Sequence, residues 1–78
     1  MNKILCDFCT EVNKIKTLKG SFIVRDLNDS TIELQFNENA FDLIIDNNSR
    51  TYKKFQKLLV KYHVVDDLIR YNCLEISC

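Results

Sequence analysis

Proline and tryptophan are absent from these 78 residues, and glycine occurs once, as Gly20. Without proline and glycine punctuation, no stretch reads as a flexible linker. A single glycine also excludes a glycine-rich loop that cradles phosphate. No charge excess exists either: eleven basic residues balance eleven acidic ones, which argues against broad, non-specific affinity for nucleic acid. Long apolar runs are missing. Met1 to Leu5 offers only Ile4 and Leu5 as large aliphatics before Asp7, so neither a secretory leader nor a membrane span is expected. The expected compartment is a reducing cytosol, where cysteines serve as thiols or metal ligands rather than as disulfides. There is one histidine, His63, and no residue pattern that would orient it for nucleophilic catalysis.

What remains is a sequence made to fold. Hydrophobic residues form 46% of the chain, too many for a disordered segment, and no repeat divides it. The expectation is one domain, residues 1–78. At this length the core is small, and a domain gains from any additional stabilising device.

Hydropathy patterning supplies the elements. From Ser30 to Asn37, Ile32, Leu34 and Phe36 alternate with Thr31, Glu33 and Gln35, as in a half-buried antiparallel strand. Phe22-Ile23-Val24 marks a preceding strand over 21–27, and Leu27-Asn28-Asp29-Ser30 reads as a tight turn between them. Ala40 to Asp46 alternates again through Phe41, Leu43 and Ile45, which predicts a third strand and a meander. Asp46-Asn47-Asn48-Ser49 then offers helix caps, and the period shifts to 3.6. Tyr52, Phe55, Leu58, Leu59 and Tyr62 form an apolar stripe, predicting an amphipathic helix over 50–62. Asp66 and Asp67 suit the first turn of a short second helix to about Tyr71. Leu74, Ile76 and Cys78 alternate as a returning strand would. Residues 1–20 fit two templates, since Val12, Ile15 and Leu18 are spaced by three, as on a helix, while Lys14 to Thr17 alternates and predicts a strand running into Gly20. The predicted fold class is α+β: a three- or four-stranded antiparallel meander packed by one long helix and a short second one.

Charge is segregated along the chain. Residues 21–47 carry six acids against Arg25, and residues 48–62 carry Arg50, Lys53, Lys54, Lys57 and Lys61 with no acid. Arg50, Lys54, Lys57 and Lys61 fall on one helix face, which makes them candidate contacts for an acidic protein partner or for a nucleic-acid backbone. Most such stripes are only the wet face of an amphipathic helix. The acids at Asp26, Asp29, Glu33, Asp42 and Asp46 read chiefly as a solvated sheet face and turns.

Cys6-Asp7-Phe8-Cys9 is a CxxC pair, a spacing that lets one tight turn aim two thiolates at a single ion. Zinc requires two further donors, and Cys73 and Cys78, with His63 as an alternative, complete the candidate set. Four small buried or partly exposed thiols are the competing reading. A thiol oxidoreductase is the third, although no cis-proline can lie against the pair. Cys6-Asp7-Phe8-Cys9, a hairpin, then Ala40-Phe41-Asp42-Leu43 leading into a helix resembles small bacterial and phage treble-clef-like zinc fingers. The resemblance spans residues 6 to about 60 and implies zinc. Where that family places a second CxxC, this chain has Ile44 and Asn47, so the tail cysteines would have to replace it. The function expected from all of this is non-enzymatic: binding or regulation of a protein partner through the basic helix face or a sheet edge. A zinc-stabilised nucleic-acid-binding module is the alternative.

Overall fold

The computed structural model describes residues 1–78. Three helices, α1 (Lys3–Val12), α2 (Glu38–Ile45) and α3 (Arg50–Tyr62), cover one face of a sheet. Its strands are β1 (Phe22–Asn28), β2 (Thr31–Phe36), β3 (Val65–Arg70) and β4 (Cys73–Ser77). All pairings are antiparallel and the order is β1-β2-β4-β3. The α+β class, the β1–β2 hairpin, the α3 helix and the returning tail strand are therefore as the sequence predicts.

Three segments differ. Within residues 1–20, Lys3–Val12 forms a helix rather than a strand. Asn2 caps it, its side-chain oxygen accepting from the Leu5 N–H at 2.9 Å, and Leu5, Phe8 and Val12 bury one face at spacings of three and four. The connection that follows ends at Gly20, whose φ of +69° is a conformation that a side chain opposes.

Residues 38–45 are also helical, so the predicted third meander strand is α2. Asn37 caps it through the Ala40 N–H at 2.9 Å, and Glu38 adds an acid to its first turn. Ala40, Phe41 and Ile44 are buried while Leu43 is half-buried and Ile45 exposed. A segment as short as Ala40 to Asp46 satisfies both periods, and here the cap decides.

Conversely, residues 65–70 extend as β3, and the second short helix predicted from Asp66 to about Tyr71 does not form. His63, at φ +53°, ends α3 in the left-handed conformation. Asn72, at φ +57°, takes up the same conformation in the two-residue turn between β3 and β4. That hairpin places β4 against β2, and a crossover replaces the simple meander.

The core is aromatic at its centre. Phe55 of α3 is fully buried, with ring centroids 5.9 Å from Phe8 and 6.2 Å from Phe36 in edge-on geometry. Ile32, Leu34, Leu74 and Ile76 supply the sheet side. The helices do not span the sheet evenly. On edge strand β1, Phe22 and Val24 are half-buried, whereas on edge strand β3, Leu68 is 59% exposed although it pairs with the buried Leu74 and so points to the helix side.

Candidate functional site

Arg50, Lys54, Lys57 and Lys61 are exposed along α3, as the amphipathic stripe predicts, and Lys53 is exposed beside them. Local folding does not account for this arrangement. Arg50–Lys54, Lys53–Lys57 and Lys57–Lys61 are like-charge pairs four residues apart, each unfavourable by about 0.2–0.5 kcal/mol. Arg50 and Lys53 also crowd the helix N-terminus, where the macrodipole disfavours cations. Arg50, Lys53, Lys54 and Lys57 form no ion pair, and Lys61 alone reaches a carboxylate, Glu11 at 3.6 Å.

The fold adds to this face from an unexpected direction. Asn13, at the end of α1, accepts a hydrogen bond from the Gly20 N–H at 3.0 Å and so closes the connection over residues 13–20. Ile15 and Leu18 pin that connection to the core, and the Thr17 and Thr51 hydroxyls meet at 2.5 Å, tying it to the start of α3. Lys14 is thereby brought beside Lys54 and Lys57 around a cleft of about 320 Å³, which Ile15, Leu58 and Glu11 also line. Glu11 is the one acid there. Its carboxylate lies 3.1 Å from Lys14, which holds it below the usual range with help from Lys61. Lys14 and Glu11 were not evident as site residues in the sequence. The available signal was Lys14, Lys16 and Lys19 threaded between the apolar Ile15 and Leu18.

The helix-free face of the sheet holds a second polar group. Glu33, expected to be solvated, is only 5% exposed. One of its carboxylate oxygens lies 2.6 Å from Arg70 and accepts from the Cys73 thiol at 2.6 Å, while the other lies 3.8 Å from Arg25. The Cys73 hydrogen bond leads in lowering the Glu33 pKa, and Arg70 adds to it. Cys73, in turn, is pushed up to about 11, first by burial and then by that carboxylate.

The five candidate metal ligands are dispersed. Cys6 and Cys9 neighbour each other on α1 at i and i+3, Cys6 exposed and Cys9 half-buried. Cys73 lies on β4 beneath Glu33, and His63 is exposed at the end of α3. Cys78 sits near α1, its sulfur accepting from the Asn2 side chain at 3.0 Å, and the Asn2 carbonyl also receives the Cys6 N–H. No three His, Cys, Asp or Glu side chains come together in a geometry suited to a metal ion.

Burial, and then repulsion from Cys6, pushes the Cys9 thiol up to about 11. Because the thiolate is the reactive form, Cys9 and Cys73 are expected to alkylate slowly at neutral pH. The exposed Cys6 and Cys78 label first. Iodoacetamide labelling followed by peptide mass spectrometry checks this order; labelling of Cys9 as fast as Cys6 would contradict it. No helix is long and apolar enough to cross a membrane. Compared with protein-family models, with curated proteins and with solved structures, the chain matches none.

Proposed function

We propose that this chain is a non-catalytic binding module that docks an acidic protein segment in the cleft between the end of α1 and α3. One observation carries the reading: Lys14, Lys54 and Lys57, from two separate elements, line a single cleft whose other walls include the apolar Ile15 and Leu58. Only Glu11 opposes them, and it is already engaged by Lys14 and Lys61.

The chemistry follows from this lining. An acidic segment relieves the self-repulsion along α3, and an apolar side chain between its acids can cover Ile15 and Leu58. Lysines steer such an encounter and set its selectivity. Nucleic-acid binding is less well supported, because α3 offers only Arg50 and Gln56 for base edges and Gln56 is turned from the cleft towards the β3 side.

Fluorescence anisotropy with a labelled peptide of alternating Glu and Leu tests the reading. Binding is expected to weaken as salt rises, since screening acts on exposed charges. Lys54→Glu combined with Lys57→Glu should weaken it by about tenfold or more, equivalent to about 1.4 kcal/mol. Tighter binding to duplex DNA than to the peptide would overturn the choice of partner. Retention of peptide affinity in the double variant would overturn the site.

A further inference from the structure

The opposite flank of α3 points to a second interaction surface. We infer that β3 is a self-complementary edge, and that two copies of this chain join through it in antiparallel fashion to form one continuous eight-stranded sheet.

The first argument is incompleteness. β3 is the last strand of the sheet, and its outward backbone groups find no partner in the chain. The helix layer stops short of it. Leu68 lies on the helix side yet is 59% exposed, and Val60 on the near flank of α3 is 74% exposed. Between α3 and the start of β3 runs a groove lined by Gln56, Leu59, Val60, His63, Val65 and Asp66. Edge strand β1 differs, because its inward residues are half-buried and the Met1 amine binds its Asp26 at 2.9 Å.

The second argument is register, which selects a second copy over an arbitrary strand. β3 reads Val65-Asp66-Asp67-Leu68-Ile69-Arg70, acidic at one end, apolar in the middle and basic at the other. Neither Asp66 nor Asp67 has an ion-pair partner within the chain. A two-fold axis centred on Asp66 or Asp67 sets acid against acid, which is unfavourable across strands. Ile69 is the extra residue in a bulge between Leu68 and Arg70, so an axis centred on Leu68 avoids that clash, sets Leu68 against Leu68 and brings Asp67 of each strand opposite Arg70 of the other. Asp67 pairs with Glu75 and Arg70 with Cys73, so Asp67 and Arg70 share the helix-free face, where their charges attract across the junction. On the other face, Leu68 and Val60 of both copies converge and close the gap in the helix layer. A two-fold contact of this type is closed and cannot propagate into a filament.

The pairing leaves the α1–α3 cleft free, because Lys54 and Lys57 lie on the flank of α3 away from β3. Its test is therefore separate from that of the acidic-segment reading. Sedimentation equilibrium of the full chain is expected to give twice the 9.2 kDa chain mass. Leu68→Lys should weaken the dimer by about tenfold or more. Asp67→Arg should do the same by facing Arg70 of the second copy, without lowering the thermal midpoint of the free chain, since it removes an acid adjacent to Glu75. Both positions are exposed, so the monomer fold tolerates either change. A monomer at every concentration, or a dimer that neither variant weakens, would overturn the proposal.

Discussion

Phe55→Ala is expected to cost about 3–5 kcal/mol, the range for removing a fully buried aromatic side chain. A chain of this length has about 4–12 kcal/mol in total, at roughly 0.05–0.15 kcal/mol per residue, so one substitution removes a large share of it. The loss follows from position. Phe55 joins all the layers at once, with Phe8 of α1 on one side and Phe36 of β2 on the other. Removing its ring leaves Phe8 and Phe36 facing a void that neither can fill without shifting its own element. Urea denaturation followed by circular dichroism measures the loss. Lys53→Ala, on the exposed face of the same helix and outside both the cleft and the β3-side groove, serves as the control and is expected to stay within about 0.5 kcal/mol, as surface substitutions usually do. Equal effects at the two positions would mean that α3 does not lie on the sheet as described.

The second large effect is expected at Glu33. Its carboxylate, on β2, reaches a residue on each of the other three strands: Arg25 on β1, Arg70 on β3 and Cys73 on β4. Glu33→Leu leaves Arg70 and the buried Cys73 thiol without their acceptor, and the thermal midpoint should fall by several degrees. Acid should produce the same loss in the unaltered chain. The Glu33 pKa lies below its ordinary value of 4.5 in the folded state, so its contribution is complete above that pH and disappears as pH falls through the folded value. Thermal midpoints measured between neutral pH and pH 3 should therefore drop more steeply for the unaltered chain than for Glu33→Gln, which cannot titrate. Parallel profiles would show that the charge on Glu33 contributes nothing.

These residues also show where sequence patterning carries information and where it does not. The α3 helix was legible because thirteen residues exceed what a strand explains, and because Ser49 provides a cap, accepting the Tyr52 N–H at 2.9 Å. The β1–β2 hairpin was legible because alternation persisted on both sides of a turn rich in Asn and Asp. In α2 the apolar run was too short for its period to decide, and the Asn37 cap carried the signal instead. For β3, Asp66-Asp67 suggested a helix start, but the decisive feature was the turn residue Asn72, whose left-handed backbone is invisible to a hydropathy pattern.

The candidate site divides in the same way. Exposure of Arg50, Lys54, Lys57 and Lys61 is a local property of one helix and could be read from spacing. The approach of Lys14 depends on the burial of Ile15 and Leu18 and on the Thr17–Thr51 hydrogen bond, all of them tertiary facts. Burial of Glu33 was likewise hidden, because alternation assigned it correctly to the polar side but could not show Arg25 and Arg70 closing over it. The four cysteines were counted easily, yet their separation over α1, β4 and the tail depended on a topology that placed β4 beside β2.

In the proposed function, the segregation of charge is what directs the molecule to its ligand. A helix with three like-charged i, i+4 pairs and a cation at its N-terminus is less stable than a sequence with mixed charges would be. If the proposed acidic ligand binds there, it offsets that repulsion, and the cost to folding becomes affinity for one type of surface. Amide chemical-shift mapping during titration with the Glu–Leu peptide tests this most directly. The largest shifts should fall on Glu11, Lys14, Ile15, Lys54, Lys57 and Leu58 and should saturate. Shifts concentrated on Val65 to Arg70, or none at all at peptide concentrations well above that of the protein, would contradict the assignment of the cleft.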